Sequence, residues 1–238
     1  MCGICGFTGT DVEQKPILTN MMNRMIHRGP DGGGQYIGPD IAMGHRRLSI
    51  IDLTDAGTQP MYNEDRTLVC TFNGEIYNYK ELKKELQASG HIFTSSSDTE
   101  VLLHGYEQWG TSMLDRPRGM FDIKPLYYTE INGNIIYASE IKSILEYPLY
   151  QKEVNLKALE QYLSFEYSVL PETFFKGIFK LMPGHYMIWK NGSKTITRYF
   201  DPMLTPSKDP VDHAKLVDQI DETMQDSIRY HMVSDVEV

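Results

Sequence analysis

The sequence predicts a layered α+β fold in which two sheets pack face to face between helical layers. Three observations carry this. Short β-type runs come first and are followed by two capped helices. Two later Asn-Gly steps are each flanked by strand-like residues. Finally, 238 residues with 41% hydrophobic content suffice to close a core over both sheets. No repeat of roughly 20 to 50 residues is visible.

After an opening strand, Leu18, Met21, Met22, Met25 and Ile26 recur at helical spacing. The run His27-Arg28-Gly29-Pro30-Asp31-Gly32-Gly33-Gly34 then ends that helix in a predicted glycine loop. It lacks the strand-G-x-G-x-x-G-helix context of a dinucleotide site and the Gly-Lys-Ser/Thr ending of a phosphate loop, so no phosphate binding is read from it.

Ile41 to Met43 and Leu48 to Ile51 read as short strands around Gly44-His45-Arg46-Arg47, and Leu68 to Phe72 as a third that runs into Asn73-Gly74-Glu75. Asn78 is placed to cap a helix with Leu82 and Leu86 on one face, Glu81 in the capping-box position and Gly90 past the end. Ser97 and Glu100 repeat the device ahead of Val101, Leu102 and Tyr106, and Gly110 ends that helix.

Hairpins follow. Leu126 to Tyr128 and Ile135 to Ala138 flank Asn132-Gly133, and Tyr186 to Trp189 and Thr195 to Thr197 flank Asn191-Gly192. Between them Leu156, Leu159, Tyr162, Leu163 and Phe165 mark a helix capped by Asn155. Asp201 to Pro210 has linker composition. Beyond it, Leu216, Ile220, Met224 and Ile228 form a helical stripe with no obvious partner upstream.

Composition excludes several classes. Lys plus Arg is 23 against 32 Asp plus Glu, a net charge of −9, and no basic run appears, which argues against nucleic acid. Three cysteines at no disulfide-framework spacing, no apolar run of membrane length and no charged-then-apolar leader point to a reducing cytoplasm and away from a membrane. The seven histidines show no metal-ligand spacing, which argues against a zinc site.

The chemistry gathers at Met1-Cys2-Gly3-Ile4-Cys5-Gly6. Removal of Met1 would leave Cys2 with a thiol and a free amine in one residue. A terminal amine titrates near ~8 and a free thiol near ~8.5, so near neutral pH the amine can accept the thiol proton. Gly3 is compatible with methionine removal and lets the backbone approach a substrate closely. By itself, Cys2 is equally an ordinary buried cysteine. A redox or zinc pair of Cys2 with Cys5 finds little support, because no strand precedes it and Cys70 stands alone.

Five motifs occur together in order: Cys2-Gly3-Ile4, His27-Arg28-Gly29-Pro30-Asp31, Arg47-Leu48-Ser49-Ile50-Ile51-Asp52, Asn73-Gly74-Glu75-Ile76-Tyr77-Asn78 and Ser97-Asp98-Thr99-Glu100. This constellation resembles the glutaminase domain of glutamine-hydrolysing asparagine synthetases. The resemblance implies a four-layer αββα sandwich of the N-terminal nucleophile hydrolase type over residues 1–200. Residues 201–238 would then be a linker and the first helix of an ATP-dependent synthetase domain. It implies that Cys2 attacks the side-chain amide of L-glutamine and forms a γ-glutamyl thioester, with Asn73 and Gly74 as the oxyanion hole. Arg47 would hold the glutamine carboxylate, Glu75 and Asp98 its ammonium, and the backbone at Leu48 and Ile51 would line the pocket.

Arg28 and Asp31 are expected beside the pocket as loop-shaping residues, and Cys5 and Cys70 as small buried hydrophobes. No metal or cofactor is implied for this domain; ATP and Mg belong to the synthetase domain, which would receive the ammonia, and a homodimer is compatible with the resemblance. The glutaminase domains of amidophosphoribosyltransferase, glucosamine-6-phosphate synthase and glutamate synthase share the nucleophile, and a glutamine-binding module without catalysis is the rival of another class.

Two departures stand out. The family carries two further strands where Phe121 here runs through Asp122 straight into Ile123, and a strand, turn and strand would take about 15 residues. Within these 238 residues there is also no Ser-Gly-Gly-x-Asp-Ser pyrophosphate loop, so ammonia is the expected product.

Overall fold

The computed structural model describes residues 1–119, 124–168, 171–201 and 212–235. Strand β1 (Gly3–Thr8) leads through helix α1 (Gln14–Asn23) to β2 (Gly32–Ile37) and β3 (Ile41–Arg47). Two short strands, β4 (Met61–Tyr62) and β5 (Val69–Cys70), precede α2 (Tyr79–Ala88) and α3 (Asp98–Trp109). A hairpin of β6 (Tyr127–Ile131) and β7 (Asn134–Ala138) is followed by α4 (Ile141–Ile144), α5 (Leu156–Phe165) and β8 (Phe179–Lys180). A second hairpin, β9 (His185–Lys190) and β10 (Ser193–Arg198), precedes α6 (His213–His231).

Six strands form one antiparallel sheet in the order β2-β3-β1-β7-β6-β8, and β4 with β5 forms a second, two-stranded sheet. Helices α1 and α4 pack on the large sheet, and α3, paired with α2, packs on the small one. The sheets are joined where the buried His45 ring of β3 donates from Nε2 to the Phe72 carbonyl, 3.2 Å away. The order is therefore helix, sheet, sheet, helix. Because β1 sits centrally, between β3 and β7, the start of the chain is anchored on both edges.

Hydrophobic periodicity explains each helical layer. Leu18, Met21 and Met25 are fully buried against Phe7, Ile136 and Tyr147, and the Phe7 and Tyr147 rings meet edge to face at 5.3 Å. Leu82 and Leu86 of α2 close a second core with Ile76, Val101 and Met113. Full burial of one such side chain is worth about 1.5–3 kcal/mol, so each cluster outweighs the weak intrinsic stability of its ten- to twelve-residue helices.

Several local expectations change. Leu48 to Ile51 is a loop, not a strand, because the Arg47 guanidinium gathers the carbonyls of Ile51, Asp52 and Thr54 and Asp52 takes a left-handed backbone (φ 52°). The third strand shrinks to β5. The glycines at 32–34 form an edge strand rather than a loop. At Gly34 a Cβ would lie 2.3 Å from the Gln59 carbonyl, so the glycine permits a close crossing of two backbones.

The capping devices divide. Ser97 accepts from the Thr99 N–H as expected, whereas Glu100 turns to Thr94 and Ser95 instead of closing a capping box. Asn78 makes no cap bond; its side chain is spent on the backbone of Arg116 and Arg118. Both Asn-Gly hairpins form with positive φ at both turn residues, and Asn155 caps α5. The Phe121–Asp122 step and the linker at 202–210 lie outside the described residues.

A two-stranded sheet leaves space. Val69, Leu102, Leu103, Met113, Met187 and Ile188 line an apolar cavity of about 470 Å³ between β5, α3 and β9.

Candidate active site

All eight residues that the motifs single out line one pocket: Cys2, Arg47, Leu48, Ile51, Asn73, Gly74, Glu75 and Asp98. They come from four places in the chain, Leu48 and Ile51 lying in the loop that directly follows Arg47. β1 brings Cys2 at its entry, β3 ends in Arg47, the exit of β5 carries Asn73 to Glu75, and α3 begins at Asp98.

Cys2 is held from two directions. Its sulfur lies 3.4 Å from the Leu48 N–H and 3.6 Å from the Leu48 carbonyl. Its carbonyl accepts from Arg28 Nε at 2.9 Å, and Arg28 is itself paired with Glu140. Burial pushes the thiol above its ordinary range, and the Leu48 N–H and the terminal amine only partly offset this. The resting sulfur is therefore protonated and needs a base. Met1 also lines the pocket and is about half exposed, so its removal would uncover the Cys2 nitrogen at the pocket wall.

Asn73 is buried, and its Nδ2 donates to Ser139 Oγ at 3.5 Å, the same hydroxyl that accepts from the Ile4 N–H at 3.0 Å. One serine at the end of β7 thus ties the Asn73 amide to the strand that carries Cys2. Nothing near Asn73 in the sequence points to Ser139.

Arg47 has a second duty beyond any ligand. Nη1 donates to the Thr54 carbonyl at 2.9 Å, and Nη2 donates to the Ile51 and Asp52 carbonyls. Gly57 makes room for this, because a Cβ there would sit 2.3 Å from Nη2. A guanidinium has five N–H donors, so Nε and one Nη1 hydrogen remain. Asp31, expected beside the pocket, accepts from the Ser49 N–H at 2.8 Å and fixes the next turn of the same loop.

Asp98 is buried, and its Oδ2 accepts from the Ile76 N–H at 2.9 Å. Burial pushes its carboxyl up to about 6; the Ile76 hydrogen bond opposes the shift and neighbouring Glu75 adds to it. Ser97 takes the capping role, and Asp98 Oδ1 accepts from Ser97 Oγ at a long 3.5 Å, which leaves that oxygen acceptor capacity for the pocket. Gln59 also lines the wall, spanning from Thr99 at the start of α3 to the Phe72 N–H, a role its surrounding sequence does not advertise.

Comparison with known proteins gives the class first. The fold is shared with glutamine phosphoribosylpyrophosphate amidotransferase from B. subtilis, at a TM-score of 0.59 and 20% identity over 84% of this chain and 49% of that one. A second solved structure, the allosteric regulatory enzyme of purine biosynthesis, aligns at a TM-score of 0.60 and 18% identity over 84% of this chain and 49% of that one. The layered fold is thus shared with these two enzymes. The chain belongs to the glutamine amidotransferase domain family, which it matches over residues 1–124 and 122–200.

Among curated relatives, asparagine synthetase [glutamine-hydrolyzing] 1 of Bacillus subtilis is 37% identical over 99% of this chain and 41% of its own length. Asparagine synthetase [glutamine-hydrolyzing] 2 of the same organism is 36% identical over 100% of this chain and 36% of its own. The amidase chyE of Penicillium rubens is 30% identical over 93% and 35%. The chain spans about two fifths of the length of these relatives. The two family segments overlap at residues 122–124, directly after Phe121, and the first alignment runs over 263 residues against 238 here, so that relative carries residues with no counterpart in this chain.

Proposed function

We propose that this chain hydrolyses the side-chain amide of L-glutamine through Cys2 and passes the ammonia to a synthetase domain that amidates aspartate. The observation that carries the reading is the convergence of eight motif residues, distant in sequence, on one pocket. Similarity to asparagine synthetases along the whole chain favours aspartate as acceptor. In this reading residues 1–200 are the glutaminase and 201–238 open the next domain, which would use ATP and Mg. The protein works in the cytoplasm. Among the described residues no helix is long and apolar enough to cross a membrane.

The mechanism follows from the pocket. With Met1 removed, the Cys2 amine takes the thiol proton and the thiolate attacks the glutamine amide carbon. The oxyanion is received by the Asn73 amide and the Gly74 N–H. The ammonium then returns its proton to the departing nitrogen, ammonia leaves, and water hydrolyses the thioester with the amine as base once more. Arg47 binds the glutamine carboxylate with the donors its loop leaves free; Glu75 and Asp98 bind the ammonium.

Intact mass of the purified protein is expected to begin at Cys2, and glutamine to give glutamate and ammonia in equal amounts. A chain that keeps Met1 and turns over at full rate would remove the base from this mechanism. A trimmed chain that binds glutamine and releases no ammonia would make it a binding module.

Asp98 gives a pH signature. Its carboxyl titrates at about 6 in the free protein and must be ionised to hold an ammonium. Lowering the pH below about 6 therefore protonates it, and kcat/KM for glutamine should fall by about a further tenfold per pH unit, on top of the roughly tenfold per unit already imposed below ~8 by protonation of the amine. The limb near 6 should vanish in Asp98→Asn; its persistence there would assign the titration to another group.

A further inference from the structure

We propose that Glu64, His91, His104 and Glu107 form a zinc site on the smaller layer, distinct from the glutamine pocket. None of the four lines that pocket. They come from the turn after β4, the segment after α2 and the second half of α3, and their sequence spacing gives no hint of the cluster.

The distances carry the argument. His104 Nδ1 lies 3.6 Å from Glu64 Oε2 and 3.6 Å from Glu107 Oε2, and His91 Nδ1 lies 3.5 Å from Glu107 Oε2. These are too long for N–H···O bonds, which close to about 2.7–3.2 Å, and a charged imidazolium among carboxylates would close them further. These three separations are near the edge of a tetrahedron of ligands, about 3.4 Å when zinc–nitrogen and zinc–oxygen bonds are ~2.1 Å, and Glu64, His91 and His104 each offer a ligand atom within 4.8 Å of the others, with Glu107 as the neighbour that would complete the shell. His104 is only 1% exposed, and neither of its ring nitrogens has a hydrogen bond among the described residues.

Three of the four proposed ligands are also held by their other atom, as metal ligands are, and the fourth, His104, is fixed by packing. Glu64 Oε1 accepts from the Ile92 N–H at 2.9 Å, which leaves Oε2 to the cluster. Glu107 Oε1 faces the Asn63 amide at 3.5 Å, and Oε2 turns inward. His91 Nε2 donates to Gln108 Oε1 at 3.0 Å, so its Nδ1 lone pair points at the cluster. His104 Nε2 faces Glu100 Oε1 at 3.8 Å, and its ring is wedged between those of His91 and Phe93, with centroids at 5.1 and 4.5 Å. The Glu64 and Glu107 side chains are each 35% exposed, which gives an ion a path from solvent. Two imidazoles and two carboxylates suit Zn²⁺ over Mg²⁺ or Ca²⁺, which prefer all-oxygen shells.

Zinc here would staple α3, whose first turn supplies Asp98, to the β4–β5 turn and to the end of α2. The test is a Zn²⁺ titration of the full chain after chelator treatment, read by elemental analysis, X-ray absorption and melting temperature. One zinc per chain is expected, with nitrogen and oxygen neighbours at about 2.0–2.1 Å and no sulfur, and a Tm raised by Zn²⁺ and not by Mg²⁺. Glu64→Gln and His91→Gln, both at the rim, should each weaken zinc binding at least ~10-fold, and Cys2→Ala should retain full zinc content. A chain that holds no zinc, a sulfur in the shell, or both rim variants binding as tightly as the native chain would overturn the site.

Discussion

Cys2→Ala is expected to lower glutamine turnover by ~10⁴-fold or more while glutamine still binds. The size follows from losing both the nucleophile and the reason for the amine beside it; groups that act as one unit lose nearly everything when one is removed. Folding should barely register the change, because among the described residues the sulfur's hydrogen bonds are two long ones to the Leu48 backbone, and the strand that follows is paired on both edges. Single-turnover kinetics beside calorimetric glutamine binding would check it. A variant that keeps even a hundredth of the native rate would move the nucleophile elsewhere.

Asn73→Ala is the second large effect. If its amide meets the oxyanion, that bond exists only in the transition state, so kcat should fall about 10²- to 10³-fold with KM nearly unchanged. Ser139 keeps its bond from the Ile4 N–H in the variant, so the anchor of the first strand survives. A loss under tenfold, or one expressed mainly in KM, would assign Asn73 to glutamine binding.

How much of this was legible in the sequence depends on the range of the interaction. The helix through Leu18, Met21 and Met22, that of Leu82 to Leu86, the Ser97 cap and both Asn-Gly hairpins are set by neighbours a few residues apart and form as expected, while Met25 and Ile26, expected on the first helix, fall in the turn after its end at Asn23. Leu48 to Ile51 reads as a strand because Leu48, Ile50 and Ile51 have strand character, while the contacts that win are those of one arginine to three carbonyls. Gly32 to Gly34 read as a loop, since the crossing with Gln59 and Pro60 that needs a glycine at 34 is a tertiary event. The pocket residues were legible through their motifs. Ser139, Gln59 and Gly57, which hold them in place, sit in stretches without a motif of their own.

The loop that shapes the pocket is gripped from its far side as well. Asp235, beyond the last residue of the family match, accepts from the Asp52 N–H at 2.7 Å through its carboxylate and donates its own N–H to the Ile50 carbonyl at 3.0 Å. Val233 packs into the α2–α3 core beside it. The rim that Arg47 draws inward is thus shared with the segment 233–235, which follows α6. Any movement of that segment reshapes the rim, and glutamine seated under the rim must resist the movement by an equal free energy, so occupancy of the pocket is felt beyond α6 and the reverse.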